Sequence, residues 1–321
     1  MRTPYRLLVV ALALACEEPG PDYGVWRNDI AAEKKALQTE PCSEDTVLNL
    51  ARHLVKAGFP EEALAQLDGR ACPDSALIDD MQFDIAKKAN VPPMMVKALD
   101  RMVARDPSAS ANYSRRAEAR TLAGDKAGAL SDWRQSFLLD PKDADRSMAY
   151  AKAIPADDCN AWVVWGIIWA YQPMKRAEVS LARHKVNEHG CDAMIQGTKG
   201  NVKMTLTSES LYSFAGKLGS EPVRIVTDTA RPVTFVSAEI AQRLGLSVPD
   251  QALFVRSAFG TSAGQPVTLP PLELGGIVFS KLAAMVGDLG LKDADVVVGA
   301  DYLTNIQLVG EKNRWTAEVR K

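Results

Sequence analysis

The stretch VRIVTDTARPVTFVSAEIAQRLGL, residues 223–246, decides the fold of the C-terminal part of this chain. Residues 223–226 have the β-branched density of a buried strand. The strand has to end near Asp228, because Pro232 blocks a regular continuation. Ser237 can then cap the helix that follows. The sequence therefore predicts an acidic side chain at a strand end, followed by a turn, a short strand and a helix.

These residues resemble the active-site region of retropepsin-like aspartic proteases (clan AA). That family has an apolar strand, Asp-Thr/Ser-Gly-Ala, a short stretch ending in Ser, and a helix that runs into Leu-Gly-Leu. Asp228, Thr229, Ser237 and residues 244–246 match the pattern. A second family signature, an apolar pair followed by Gly in a late strand, is similar to the run that ends at Gly299. Two signatures in this order, about 70 residues apart, are more specific than either alone.

The resemblance implies an aspartic endopeptidase in which Asp228 is the catalytic residue. Such chemistry needs two carboxylates that share one proton. This chain has one matching motif, so the resemblance implies a homodimer with a second Asp228 across a twofold axis. Thr229 would then hydrogen-bond across the dyad, or else it is an ordinary turn threonine.

Two residues depart from the family pattern, since Ala230 and Arg231 stand where the family has Gly and usually Ala. Ala230 adds a methyl group where the chains approach closely. An inward-pointing Arg231 would favour two ionised carboxylates over the state with one shared proton. Both departures count against full activity.

The segment SAFGTSAG, residues 257–264, predicts a flexible hairpin tip with Gly260 and Gly264. The family resemblance implies a flap that closes over the peptide. An ordinary surface turn is the alternative.

Composition excludes some classes of function. The 321 residues are 47% hydrophobic and 24% charged, which is typical of a globular protein with room for two domains. A formal net charge of −2 and the lack of a dense Lys/Arg run argue against nucleic acid as a partner. The sequence predicts no cofactor and no metal, apart from one alternative metal site considered with the cysteines below.

The N-terminus predicts export. Residues 1–16 combine a basic start, the apolar run LLVVALALA and Cys16, and resemble a bacterial lipoprotein signal. Plain signal-peptidase cleavage near Ala15 is the alternative. Residues 17–24, EEPGPDYG, have the composition of a linker. The expected location is the periplasm or the outer membrane, with a lipid as the only membrane contact, and the extracellular space is the alternative.

Four further cysteines suggest two disulfides. Three connectivities are possible, and the spacing favours Cys42–Cys72 and Cys159–Cys191, which would each close one helical hairpin. A metal site at His184, His189 and Cys191 is the alternative, although the two histidines lie on different helix faces.

Repeats organise residues 25–196. Pro73, Pro107 and Pro141 are 34 residues apart, and each follows an apolar helical stretch, which resembles degenerate tetratricopeptide (TPR) repeats. Such repeats would bind a protein partner or substrate. Residues 161–171, AWVVWGIIWAY, are too short to span a membrane and predict a buried capping helix, with an aromatic binding patch as the alternative.

The pattern changes to alternating residues and frequent Gly and Pro near residues 197–201, so residues 201–321 form a second predicted domain. The predicted fold class is α+β: an N-terminal TPR-like solenoid and a C-terminal all-β retropepsin-like acid-protease barrel. Three functions follow from it. They are an active exported endopeptidase, the same fold with weakened or lost catalysis acting as a protein-binding scaffold, and an unrelated exported adaptor.

Overall fold

The computed structural model describes residues 21–69, 75–155, 157–206, 212–257, 260–280, 282–311 and 314–319. The chain divides into two compact units between Ala89 and Asn90. The segments predicted as signal peptide and lipidation site, including Cys16, lie outside the described residues. The predicted domain bounds remain a prediction.

The first unit is helical. Leu50, Leu54 and Leu67 are fully buried in it, as the apolar face of each amphipathic helix requires. Its helices are α1 (Arg27–Thr39), α2 (Glu44–Lys56), α3 (Pro60–Asp68) and α4 (Ala76–Lys88).

The second unit begins with six more helices. They are α5 (Pro92–Arg105), α6 (Ser110–Leu122), α7 (Lys126–Leu139), α8 (Ala144–Ala153), α9 (Asn160–Tyr171) and α10 (Arg176–Asn187). Asp125 and Asp143 cap α7 and α8, since their side chains accept hydrogen bonds from the first-turn amides of Gly128 and Arg146.

The helix starts repeat with the predicted 34-residue period. Lys126 follows Pro92 by 34 residues, and Asn160 follows Lys126 by the same interval, so α5, α7 and α9 are the equivalent second helices of successive pairs. Two of these first helices are followed by a residue with positive φ, Asn90 after α4 and Gly124 after α6. Gly and Asn are the residues that tolerate this conformation. The repeat continues one pair further than the proline spacing indicates.

Helix α9 holds the run AWVVWGIIWAY. Ala161–Ile168 are all buried, in agreement with the prediction of a buried helix. Its neighbours are α8, α10 and, from the following region, α12 (Ala300–Leu303). Across the described part of the chain, no helix has the length and apolar character needed to cross a bilayer.

The region after α10 is mainly β. Its strands are β1 (Ile195–Gln196), β2 (Lys199–Val202), β3 (Met204–Leu206), β4 (Tyr212–Leu218), β5 (Glu221–Thr227), β6 (Phe235–Val236), β7 (Leu253–Ser257), β8 (Gly260–Thr268), β9 (Leu272–Leu274), β10 (Ile277–Phe279), β11 (Ala283–Gly287), β12 (Val296–Val298), β13 (Ile306–Glu311) and β14 (Arg314–Val319). Helix α11 (Ala238–Arg243) follows β6.

The main sheet has the order β1-β10-β9-β4-β5-β12-β6-β11-β8-β7, with β3 beside β4, while β13, β14 and β2 form a small second sheet. The predicted α+β architecture, helical repeats followed by a mainly β region, is confirmed. The prediction of a closed barrel is wrong. In the described strands the sheet runs from β1 at one edge to β7 at the other, and these two strands do not pair, so the sheet is open.

The candidate site is positioned by the chain segment that connects β5 to β6 across the end of β12. β5 and β6 follow each other in the chain, but β12 lies between them, parallel to β5 and antiparallel to β6. Residues 228–234 therefore pass over the end of β12. All three residues of β12 are buried, as a strand covered on both faces requires.

The structure contains the disulfide between Cys159 and Cys191. This bond removes Cys191 from the alternative metal site with His184 and His189. Cys42 is also disulfide-bonded, but Cys72 lies outside the described residues, so the pairing Cys42–Cys72 remains a prediction.

Candidate active site

Asp228 lies at the end of β5, beside the end of β12. Its backbone N–H donates to the carbonyl of Val298 over 3.0 Å, which continues the parallel pairing of the two strands by one residue. The residue is 7% exposed. The carboxylate therefore lies at a strand end, next to the end of β12, whose last residue precedes Gly299.

The turn after Asp228 is closed by its own backbone. The N–H of Ala230 donates to Asp228 Oδ1 over 2.9 Å, and the N–H of Arg231 donates to the Asp228 carbonyl over 3.2 Å. Thr229 is exposed, and its carbonyl accepts a hydrogen bond from the Tyr171 hydroxyl at the end of α9. The last helix of the repeats thus contacts the candidate catalytic loop.

Arg231 points inward, beside Asp228. Its side chain is 2% exposed, and Nε lies 3.7 Å from Asp228 Oδ2. The guanidinium lies 4.3 Å from the ring centre of Phe235. Its Nε and Nη1 have no hydrogen-bond partner among the described residues. Burial lowers the pKa of Arg231, although the charges of Asp228 and Asp288 act in the opposite direction.

Gly299 is needed where the turn crosses β12. A Cβ atom at this position would lie 2.7 Å from the carbonyl oxygen of Arg231 and 2.7 Å from the backbone of Val233. The Ala300 N–H donates to that same Arg231 carbonyl over 2.8 Å. The second sequence signature therefore has a steric cause, because any side chain would separate the two segments.

Asp301 is a second carboxyl group close to this crossing. It is 1% exposed and accepts hydrogen bonds from the N–H and the hydroxyl of Thr234, over 2.7 and 2.9 Å, and from the N–H of Tyr302 over 3.0 Å. Burial raises the pKa of Asp301 to about 7, although these hydrogen bonds favour the carboxylate. These hydrogen bonds join Thr234, which precedes β6, to the first turn of α12.

The predicted flap is a hairpin of β7 and β8. Gly260 begins β8 with φ +113°, a conformation that favours glycine, and pairs with Ser257. Gly264 lies inside β8, in register with Gly287 of β11, and a Cβ there would come within 2.8 Å of the Phe235 ring. Gly264 therefore allows close packing in the sheet, while Gly260 lies at the turn.

A helix side chain holds this hairpin. Gln135 of α7 donates from Nε2 to the Phe254 carbonyl over 2.7 Å and accepts at Oε1 from the Phe254 N–H over 3.0 Å. Phe254 also packs against Val103, Tyr113 and Leu139 of the helices. Sequence reasoning missed this contact. The sequence feature that could have indicated it is Gln135, a polar residue in the largely apolar segment WRQSFLL.

The other predicted residues have structural positions. Ser237 caps α11 by accepting a hydrogen bond from the Ile240 N–H over 3.2 Å. Within the residues that the structure describes, no group of three or more His, Cys, Asp or Glu side chains could hold a metal ion.

The comparisons agree with this geometry. Residues 214–302 match the family model described as aspartyl protease. This segment contains Asp228, the hairpin and Gly299, so the C-terminal region carries an aspartyl-protease-like domain. A search of curated proteins gave no match.

Solved structures match the two regions separately. A retropepsin-like aspartic protease from Rickettsia conorii is 17% identical over 39% of this chain and 93% of its own, with a TM-score of 0.28. MamA is 18% identical over 52% of this chain and 90% of its own, with a TM-score of 0.33. The TPR2B domain of yeast Sti1, solved as a complex with pHsp70, is 19% identical over 34% of this chain and 94% of its own, with a TM-score of 0.29.

Proposed function

We propose that this protein is an aspartic endopeptidase that works as a homodimer through paired Asp228 side chains. The placement of Asp228 carries the proposal: a carboxylate at a strand end, in a turn braced by Ala230, inside a region that matches the aspartyl protease family. In the dimer one Asp228 is ionised and takes a proton from the attacking water, while the other donates its proton to the scissile carbonyl. Thr229 is exposed, as a residue that meets a second copy has to be.

The test combines cleavage with oligomeric state. The purified protein should cleave denatured protein substrates at acidic pH with pepstatin sensitivity, and sedimentation should show a dimer. Asp228→Asn should abolish cleavage and leave the dimer intact. Asp250→Asn is the matched control, because Asp250 is an exposed aspartate of the same region. Full cleavage by the Asp228→Asn variant would assign the activity to other residues.

The contact between Arg231 and Asp228 favours a second candidate, in which the same domain binds protein without cutting it. A dimer would place two buried guanidinium groups beside two carboxylates, and this arrangement opposes retention of the single shared proton. Ala230 adds its methyl group to the same turn. Three results together would support this scaffold function: the protein forms dimers, it does not cleave substrates, and neither the Arg231→Met nor the Ala230→Gly variant acquires cleavage activity.

The helical repeats would supply recognition in either case. Repeats of this period present a continuous surface for one protein partner or substrate. Tyr171 and Gln135 connect the last repeats to the candidate site loop and to the hairpin. A protein that begins at Asn90 lacks the helices of the first unit and retains those that contact the β region. It should therefore lose partner recruitment, which pull-down with the full chain as reference would measure.

Export and lipid anchoring at Cys16 are proposed from the sequence of residues 1–16. The expected location is the periplasm or the outer membrane. In a diderm bacterial host, Cys16→Ser should release the protein from the membrane and remove the mass of the lipid. Unchanged mass and unchanged membrane association would contradict lipidation and favour plain cleavage near Ala15.

A further inference from the structure

A pocket of about 290 Å³ lies between α9 and α10. The residues seven apart on α9 and those three, four and seven apart on α10 share one face of each helix. Asp228 does not line the pocket, which is therefore separate from the candidate active site. Its lining residues are Trp162 and Trp169 from α9, and Ser180, Arg183, His184 and Asn187 from α10.

Arg183 is held in place by two neutral partners. Its guanidinium carbon lies 4.1 Å from the ring centre of Trp162, and its Nη2 donates to Asn305 Oδ1 over 3.1 Å. A stacked arginine with its fork held by a hydrogen bond is already oriented for a ligand. Neither contact neutralises the positive charge.

No acidic side chain lines this pocket, and Arg183 forms no ion pair with a described residue. Burial lowers the pKa of Arg183 to about 10, so the half-buried side chain stays charged at physiological pH. The acidic residue of α10, Glu178, pairs with Lys152 over 3.3 Å. The group that would stabilise Arg183 is an anion, because a partly desolvated cation gains most from an opposite charge.

A second arginine adds positive charge beside the pocket. Arg176 precedes Arg183 by seven residues, so it lies on the same face of α10, roughly 10 Å away along the helix. Its guanidinium carbon lies 4.5 Å from the ring centre of Trp169. Two arginine–tryptophan pairs thus follow each other between α9 and α10, and the exposed Ser180 lies between the two arginines in sequence.

The set of donors favours phosphate over carboxylate. The Ser180 hydroxyl and the His184 ring line the same pocket as the Arg183 fork. A terminal phosphate offers three acceptor oxygens in different directions, whereas a carboxylate offers two in one plane. The volume is slightly below that of pockets that enclose a whole ligand, so it suits a head group whose remaining part extends into solvent.

We propose that the pocket between α9 and α10 binds the phosphate group of a phosphomonoester, with Arg183 as the main contact, Ser180 and His184 as further donors, and Arg176 as a second cation at the rim. The site is independent of the proposed peptidase function. A soluble phosphomonoester and a lipid with a terminal phosphate supply the same group.

Calorimetry with the full-length protein at constant ionic strength tests the proposal, with glycerol 3-phosphate as the probe. Saturable binding at one site per chain is expected. Glycerate, which has a carboxylate in place of the phosphate, should bind at least about tenfold more weakly, and glycerol should not bind. Equal affinity for glycerol 3-phosphate and glycerate, or binding of neither, would overturn the phosphate assignment.

Arg183→Met should weaken binding of glycerol 3-phosphate at least about tenfold, because the variant loses both the charge and the planar fork. Lys185→Met is the matched control. Lys185 is exposed on α10 and does not line the pocket, so this variant loses the same charge without a change in affinity. Equal losses in the two variants would show general attraction of anions and overturn the site.

Thermal unfolding establishes that each variant is folded. Ser180→Ala changes an exposed position and gives a second test that does not depend on the folding of Arg183→Met. It should weaken binding of glycerol 3-phosphate by about threefold or more. Unchanged affinity in this variant would overturn the role of Ser180 as a donor.

Co-sedimentation with phosphatidylcholine vesicles that contain phosphatidic acid distinguishes the two sources of phosphate. Vesicle binding that Arg183→Met reduces and Lys185→Met retains would identify a lipid phosphate. Binding of glycerol 3-phosphate without such a difference on vesicles would identify a soluble phosphomonoester. Absence of Arg183-dependent binding in both experiments would overturn the proposal.

Discussion

Arg231 Nε lies 3.7 Å from Asp228 Oδ2 in the interior of a single chain, before any second copy is considered. The pair is buried, so its charges interact more strongly than they would at a surface. A dimer of this chain would therefore contain two such pairs at its centre. The chemistry of an aspartic peptidase instead needs one proton held between two carboxylates.

Removal of the Arg231 charge should increase peptidase activity. Arg231→Met retains packing on Phe235 but leaves no cation beside Asp228, so the dimer should keep its shared proton to higher pH. We expect about a tenfold higher kcat/KM near neutral pH, and an upper pH limit of activity that moves upward.

The matched control is Arg243→Met, since Arg243 pairs with Glu221 and Glu239 at the surface. Its pH profile should equal that of the unaltered protein. A pH profile of Arg231→Met that also coincides with the unaltered one would show that Arg231 does not govern the carboxylates.

Asp301 should make stability depend on pH. Its pKa in the fold is about 7, above the ordinary value of 3.8, so the folded state binds more protons between these values. Proton binding by Asp301 therefore adds to the free energy of unfolding. This contribution is fully present below about pH 4 and is lost as the pH rises through 7, and it amounts to roughly 4 kcal/mol at most. Denaturant unfolding measures the free energy of unfolding of the unaltered protein and of Asp301→Asn. The value for the unaltered protein, relative to that of the variant, should decrease from pH 4 to pH 7. A constant difference between pH 4 and 7.5 would contradict the raised pKa.

The disulfide between Cys159 and Cys191 joins residues 32 apart in sequence. In the loop-entropy description its removal should lower the free energy of unfolding by roughly 3 to 4 kcal/mol. The double variant Cys159→Ser/Cys191→Ser, compared by urea unfolding with the unreduced protein, measures this loss. Equal midpoints would mean that the crosslink does not restrict the unfolded chain.

Gln135→Met should loosen the hairpin of β7 and β8. The variant retains size but loses both hydrogen bonds to Phe254, so the Phe254 amide should exchange with deuterium at least about tenfold faster. Gln307→Met serves as the control, because its one side-chain hydrogen bond is exposed. Unchanged protection at Phe254 would show that other contacts hold the strand.

Gly299→Ala should destabilise the protein by about 3 kcal/mol or more, because the added methyl group meets the backbone at 2.7 Å. Thermal unfolding gives the measurement. A stable variant would mean that residues 228–234 can move away from β12 at little cost.

The sequence predicted the parts that local pattern determines. The proline spacing indicated the helical pairs, and the apolar run that ends at Gly299 contains the strand Val296–Val298. Asp228 and Gly299 could both be found from the sequence, because each lies in a short motif with a local structural reason. For Asp228 the reason is the end of a strand, and for Gly299 it is the close approach of another backbone segment.

The parts that were missed depend on tertiary context. The strand Tyr212–Leu218 has no strict alternation, since its residues pack on several neighbours. The open order of the sheet depends on which edges pair, and hydrophobic pattern carries no such information. Gln135 and Tyr171 contact residues 119 and 58 positions away, so no spacing rule could find them.

The double hydrogen bond from Gln135 to Phe254 also limits where this chain can be divided. β7 is an end strand of the main sheet. Gln135 of α7 pairs with the Phe254 backbone, and residues of α5, α6 and α7 pack on the Phe254 side chain. A protein shortened to the β region, starting near residue 200, would expose both. Such an uncovered edge recruits strands from other molecules. The isolated β region should therefore aggregate, whereas a protein that begins at Asn90 keeps the edge protected.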